Sequence, residues 1–175
     1  MRRFIAYYAA SADGYISRSD GSVDWLERPT PKDFYGIANF LASIDAVVMG
    51  RKTYDFAMAH GGVPTTNGAK NYLFSTTVKD VAENVELVTE DVATFVDRIR
   101  SAEGENIWLL GGAALWDSFL DAGALDELMI FVIPILIGEG IPALNAKLRT
   151  QQLELVESKP FEDGVVMLHY RIKQK

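Results

Sequence analysis

Short apolar runs alternate with amphipathic helical stretches through most of this chain, and no other feature constrains the fold as strongly. The runs Arg3–Ser11, Ala46–Met49, Asn71–Phe74, Val85–Val88, Ile107–Leu110 and Leu128–Ile133 are short and bounded by turn residues, as buried strands are. Between them lie stretches with helical spacing: Phe34, Ile37, Ala38 and Leu41, then Arg51 to Ala59, then Val92, Phe95, Val96 and Ile99, then Ala113 to Ala122. Strand–helix alternation of this kind predicts an α/β sheet that is partly parallel. The tail reads differently. Leu153–Ser158 and Val165–Ile172 flank Glu162-Asp163-Gly164 with no helix between them, which predicts antiparallel strands added at one side.

Local signals place the helix ends. Thr30 is predicted to cap a helix with Pro31 in its first turn and Asp33 as the carboxylate of a capping box. Thr89 is predicted to cap the helix that Gly104 closes, and Gly61-Gly62 to end the one that starts at Arg51.

The length of 175 residues predicts one domain spanning 1–175. Seventeen basic against twenty-four acidic residues leave a net charge of −7, which disfavours nucleic acid and anionic lipid as partners. There are no cysteines, so thiolate zinc sites, iron–sulfur clusters and cysteine nucleophiles are excluded, and His60 and His169 are too far apart in sequence to suggest a metal site. No window reaches the roughly 18 apolar residues of a membrane span. The apolar run after Arg2 and Arg3 is short for a signal peptide, so a cytoplasmic protein is expected.

Chemistry is suggested at two strand–glycine–helix junctions. Val47-Val48-Met49 runs into Gly50-Arg51-Lys52-Thr53, and Trp108-Leu109-Leu110 runs into Gly111-Gly112-Ala113-Ala114. Ligands of open α/β sheets bind at the carboxyl ends of parallel strands. Glycine there lets backbone approach a phosphate, while the following helix offers unpaired N–H groups and the positive end of its dipole. Arg51 and Lys52 add charge, and Ser75, Thr76 and Thr77 add hydroxyls past a third strand. The competing reading of each feature alone is ordinary turn and loop chemistry. The polar stretch from Ala12 to Ser22 is either a hairpin at its two Asp-Gly pairs or a functional loop. Gly138-Glu139-Gly140-Ile141-Pro142-Ala143 has the glycine spacing of a dinucleotide fingerprint, but Pro142 argues against the helix that motif requires.

Asp13-Gly14-Tyr15-Ile16, Val47 to Tyr54 and Leu109-Leu110-Gly111-Gly112, in this order and spacing, resemble the dihydrofolate reductase superfamily. The segment from Leu125-Asp126-Glu127-Leu128 through Ile133 to Pro142 resembles more narrowly the reductase domain of the bifunctional riboflavin-biosynthesis deaminase–reductase and its stand-alone relatives. The resemblance spans nearly the whole chain. It implies a dihydrofolate reductase-like mixed sheet, mostly parallel with antiparallel C-terminal strands and helices on both faces.

By the same resemblance Gly50, Arg51, Lys52 and Thr53 would bind the pyrophosphate and 2′-phosphate of NADPH, with Ser75 also at the 2′-phosphate. Gly111, Gly112, Ala113 and Ala114 would form the turn under the pyrophosphate and nicotinamide, and Ala9 and Ile16 would close over the nicotinamide ring. The expected activity is hydride transfer from NADPH to a small heterocyclic or carbonyl substrate, pterin-like or ribosylaminopyrimidine-like. The alternatives are a non-catalytic nucleotide-binding protein on the same scaffold and a purely structural dimer. Asp33 is the nearest match to the carboxylate that protonates substrate in dihydrofolate reductases, against its capping-box role with Thr30. Trp116 stands where the family has a tyrosine and reads as core packing. The zinc deaminase half is excluded by the lack of cysteine. Relatives are typically dimers, and the apolar run from Leu128 to Ile137 is consistent with a homodimer.

Overall fold

A computed structural model of the protein describes residues 1–64, 68–145 and 150–173. The strands are β1 (Phe4–Ser11), β2 (Tyr15–Ser17), β3 (Ile44–Gly50), β4 (Lys70–Phe74), β5 (Val85–Val88), β6 (Asn106–Gly111), β7 (Glu127–Ile133), β8 (Ile141–Pro142), β9 (Leu153–Pro160) and β10 (Val166–Ile172). The helices are α1 (Ile37–Ala42), α2 (Arg51–Ala59), α3 (Val92–Ser101) and α4 (Ala113–Asp121). Among the described residues eight strands form one sheet in the order β5-β4-β3-β6-β1-β7-β10-β9, and β2 pairs with β8. From β5 to β7 every neighbour is parallel, whereas β10 and β9 run antiparallel. The expected mixed sheet is the one observed.

Side-chain alternation sorts the two faces. Phe4, Ala6, Val48, Ile107 and Leu109 point to the face covered by Phe95, Val96 and Ile99 of α3 and Leu115, Trp116 and Phe119 of α4. Ile5, Val47, Met49 and Leu73 point the other way, toward Phe40 of α1 and Tyr54 of α2. Interior strands of a sheet covered on both faces are apolar at successive positions. That accounts for the run in β7, which lies between β1 and β10. Among the described residues the exposed large apolar side chains are elsewhere: Met1, Phe34, Phe56, Met58 and Leu136, and Leu153, Leu155 and Val156 of the outer strand β9.

Two predicted helix starts are corrected. No helix begins at Thr30. Asp33 precedes a single 3-10 turn, Phe34–Gly36, without a side-chain capping bond, and α1 starts only at Ile37 behind a left-handed Gly36. Phe34 and Tyr35 have φ of +44° and +60°, a conformation that costs roughly 1–3 kcal/mol per non-glycine residue. Tertiary contacts hold it. The Tyr35 ring packs edge-on against Phe161 at 5.0 Å, and its hydroxyl donates to Asp163 Oδ2 at 2.5 Å. At α3 the cap is Asp91 and not Thr89, the Asp91 carboxylate accepting from the Thr94 backbone N–H at 3.0 Å.

One group of ion pairs lies at the amino ends of the parallel strands. Arg2 pairs with Asp45, Arg100 with Asp126, and the buried Glu127 accepts from Arg3 at 2.7 Å and His169 at 2.9 Å. The opposite, carboxyl-terminal edge carries Gly50, Gly111 and Gly112.

Candidate functional site

At that edge Ser11, Gly50, Phe74, Gly111 and Ile133 end parallel strands, with Gly50 opposite Phe74, Met49 opposite Gly111, and Ser11 opposite Ile133. The two glycine junctions predicted from sequence are therefore neighbours. A Cβ placed on Gly50 would lie 3.7 Å from the Gly111 carbonyl oxygen and 3.9 Å from the Leu115 Cβ. A Cβ on Gly112 would lie 3.6 Å from the Thr53 hydroxyl oxygen. Gly111 has a different task. Its φ is +120°, and a Cβ there would press to 2.9 Å from the Trp116 ring. Gly111 and Gly112 are joined by a cis peptide bond.

Gly50 caps α2 and Gly112 caps α4, and neither helix has a side-chain cap. The first-turn N–H groups of a helix have no intrahelical acceptor. Two positive helix ends thus converge on adjoining glycines, with Ala113 buried and Ala114 exposed in the first turn of α4. This is the arrangement that receives phosphate oxygens.

Arg51 and Lys52 are exposed at the start of α2. The Arg51 guanidinium donates to both oxygens of Asp55 at 2.7 and 2.8 Å and reaches Thr77 Oγ1 at 3.5 Å. Ser75 Oγ accepts from the backbone N–H groups of Thr77 and Val78, each at 3.2 Å. Arg51 and Ser75 are so brought together through Thr77, which the sequence reading left among its neighbours. An exposed ion pair such as Arg51–Asp55 is worth little, so a phosphate can take the guanidinium from Asp55.

Ala9 lies opposite Phe131 and packs on an aromatic cluster with Trp25, Phe131 and Tyr35. Tyr7 stacks on Phe40 at 4.2 Å and meets Phe131 at 4.8 Å, and burial raises its phenol pKa far above the usual value. The Trp25 indole N–H is buried and finds no acceptor among the described residues. Tyr35 is pushed up to about 12, first by burial and then by its bond to Asp163. Arg28 donates to the Asp163 carbonyl oxygen at 2.6 Å. Nothing in the local sequence signals this trio, since Tyr35 and Asp163 are 128 residues apart.

Ile16 packs against the cluster on the α4 side and not the one that holds Ala9. Its loop is neither a hairpin nor free: β2 pairs with β8, Tyr15 opposite Pro142 and Ser17 opposite Ile141. Hydrogen bonding, first from Ser11 and then from the Gly138 and Ile137 amides, holds the Asp13 carboxyl below the usual carboxylate range. Asp33 is exposed on the turn before Phe34. Trp116 is core: it is buried, donates to the Leu109 carbonyl at 2.8 Å and stacks on Tyr8 at 4.4 Å. Gly138 to Ala143 opens no helix, in keeping with the sequence argument against a dinucleotide fingerprint. Among the described residues no His, Cys, Asp and Glu cluster could hold a metal, and no helix is long and apolar enough to cross a membrane.

Residues 2–167 match the profile of the RibD C-terminal domain. The chain is 34% identical over 170 residues to YwjB of Bacillus subtilis (strain 168), an uncharacterized protein, with 97% of each chain covered. A Shewanella sp. PV-4 protein whose name assigns it to riboflavin biosynthesis has a similar structure, with a TM-score of 0.89 at 24% identity over 98% of this chain and 99% of that one. Dihydrofolate reductase from Enterococcus faecalis, solved in complex with NADP(H) and RAB-propyl, superimposes with a TM-score of 0.71 at 17% identity, over 98% and 97% of the two chains.

Proposed function

The chain belongs to the RibD C-terminal domain family, and on that premise we propose that it is an NADPH-dependent reductase of a small heterocyclic or carbonyl substrate. The observation that carries the reading is the meeting of two helix N-termini without side-chain caps at Gly50 and Gly112, with Arg51, Thr77 and Ser75 grouped beside them. This set fits a dinucleotide bearing an extra phosphate. The first-turn amides of α2 and α4 take the pyrophosphate oxygens, joined by Thr53. Arg51, Thr77 and Ser75 take the 2′-phosphate, for which a guanidinium and hydroxyls are suited donors. Lys52 adds charge at the mouth. Gly111, Ala113 and Ala114 bring backbone close enough to seat the nicotinamide end, beside Ala9 and the Ile16 loop.

NADPH, when bound, supplies the hydride. The protein's part is to hold the acceptor carbon near it and exclude water. The substrate side is the apolar, aromatic wall around Ala9, where Tyr7, Trp25, Tyr35 and Phe131 pack. Asp33 is the proposed proton donor, and its exposed position requires the turn Phe34–Gly36 to bring it over the bound substrate.

Consumption of NADPH absorbance with dihydropterins and ribosylaminopyrimidines tests the activity, and the thermal shift with NADPH against NADH tests the cofactor. Stabilisation by NADPH with no turnover would favour a nucleotide-binding role without catalysis. No stabilisation by either dinucleotide would remove the reading. We also propose a homodimer formed through β9, whose outer apolar residues Leu153, Leu155 and Val156 are exposed. Light scattering at micromolar concentration giving a monomer mass would refute it.

A further inference from the structure

One polar group of the aromatic wall has no structural task. Tyr7 and Ala9 share a face of β1, because alternate strand residues point the same way, and they stand roughly 6.6 Å apart along the strand. Three neighbours hold the Tyr7 ring: it stacks on Phe40 at 4.2 Å, tilts against Phe131 at 4.8 Å and meets Trp108 edge-on at 6.1 Å. The Trp108 indole N–H also donates to the Tyr7 carbonyl at 3.1 Å. A phenylalanine would fill the same place. The Tyr7 hydroxyl makes no hydrogen bond among the described residues, and its oxygen is not sealed from solvent. Other donors of the wall are committed or closed off: the Tyr35 hydroxyl donates to Asp163 Oδ2 at 2.5 Å, and the Trp25 indole nitrogen is fully buried. A half-buried hydroxyl in apolar surroundings gives up hydration, and here the fold returns no bond for it. Burial also keeps the phenol in its neutral, donating form.

We infer that the Tyr7 hydroxyl is a catalytic hydrogen-bond donor to the atom beside the carbon that receives the hydride, so that the substrate presents a carbonyl oxygen or an imine nitrogen there. This rests on the reductase reading above. Hydride from NADPH adds to the carbon of the C=O or C=N bond, the π electron pair moves to the oxygen or nitrogen, and NADP+ is the oxidised product. A proton then joins that oxygen or nitrogen, with Asp33 as its proposed source. The Tyr7 O–H meets the negative charge while it builds on the same atom. Its ring is fixed beforehand by Phe40, Phe131 and Trp108, so the donor needs no reorganisation, and the apolar setting strengthens the bond. The bond tightens as charge develops, because an ionised acceptor is held more strongly than a neutral one. It therefore favours the transition state over bound substrate. A carbon–carbon double bond without a neighbouring heteroatom gives Tyr7 nothing to hold.

The test uses the full chain with Tyr7→Phe, which removes the oxygen and keeps the ring. Thermal melting comes first. Tyr7→Phe should melt at or above the wild-type temperature, since no bond is lost, whereas Tyr35→Phe, which loses the bond to Asp163, should melt lower. NADPH consumption is then measured with dihydropterin and with ribosylaminopyrimidine as acceptors. Tyr7→Phe should lower kcat about 100-fold or more, the loss expected for one preorganised donor, with KM and NADPH affinity within about twofold of wild type. A folded Tyr7→Phe protein with wild-type kcat overturns the catalytic role and leaves the reductase reading standing. A loss confined to KM overturns the preference for the transition state. A Tyr7→Phe protein melting several degrees below wild type overturns the premise that the hydroxyl has no structural bond. A wild-type chain that consumes NADPH with neither acceptor overturns the reductase reading, and the role of Tyr7 falls with it.

Discussion

Alanine at Gly111 and at Gly50 should have opposite consequences, although both glycines end parallel strands at the same edge. At Gly111 the backbone has φ of +120°, and the added methyl would stand 2.9 Å from Trp116 Cζ2 and 3.2 Å from Cε2. Backbone strain of this kind costs roughly 1–3 kcal/mol, and overpacking a fixed ring costs another 1–3 kcal/mol or so. Trp116 cannot yield freely, because its indole N–H is bonded to the Leu109 carbonyl and its ring is stacked on Tyr8. Gly111→Ala should therefore lose about 4 kcal/mol, or roughly 8–16 °C of melting temperature in a chain of this size. At Gly50 φ is −89°, and the new methyl meets its neighbours at 3.7 and 3.9 Å, ordinary contact distances. Only a cap preference of under about 1 kcal/mol is at stake there. The methyl would, however, fill the space between the two junctions where a pyrophosphate would lie, so NADPH affinity should fall at least tenfold with the fold intact. Differential scanning fluorimetry and NADPH titration of both variants read the two effects. A Gly111→Ala protein melting within about 2 °C of wild type refutes the steric argument, and a Gly50→Ala protein with wild-type affinity refutes the cradle.

Arg51→Ala should weaken NADPH by about 1.5–3 kcal/mol and leave NADH nearly unchanged; equal losses in the two titrations would place the guanidinium away from the 2′-phosphate. Glu127→Gln should cost about 2–3 kcal/mol, since it breaks a buried carboxylate's pairing with Arg3 and His169, and thermal melting at pH 7 would show it. The His169 hydrogen bond first, and the Arg3 charge after it, hold the Glu127 pKa below its ordinary value against the opposing effect of burial. The stabilisation is thus present above the unfolded carboxylate pKa and lost as pH falls through the lower folded one, so wild type and Glu127→Gln should converge in stability in strong acid. A gap between them that stays constant with pH would contradict this. Asp33→Asn should slow turnover of any accepted substrate by an order of magnitude or more without lowering the melting temperature, and full turnover in the folded variant would leave ordered water or the substrate to supply the proton.

Which stretches become strands and helices was legible locally. Burial period and glycine punctuation marked β6, α2 and α4 to within a residue and β3 to within two, because those elements bury apolar faces that their own sequence displays. The two junctions were legible for the same reason. That they touch was not, since the pairing of Met49 with Gly111 is a property of sheet order. The Thr30 signal failed because a capping box competes only with local alternatives, whereas Tyr35 gains a buried aromatic setting and a bond to Asp163 that local sequence does not contain.

The sequence by itself determined the alternation of elements, the apolar character of both faces of the sheet, and the glycine, arginine and hydroxyl residues available at the strand ends. Tertiary structure decided which of these meet. Asp13 and Gly138 are separated by 125 residues, and Tyr35 and Asp163 by 128. A hydrogen bond across such a separation leaves no period in the chain, because each partner is an ordinary loop residue until the sheet brings its loop alongside the other.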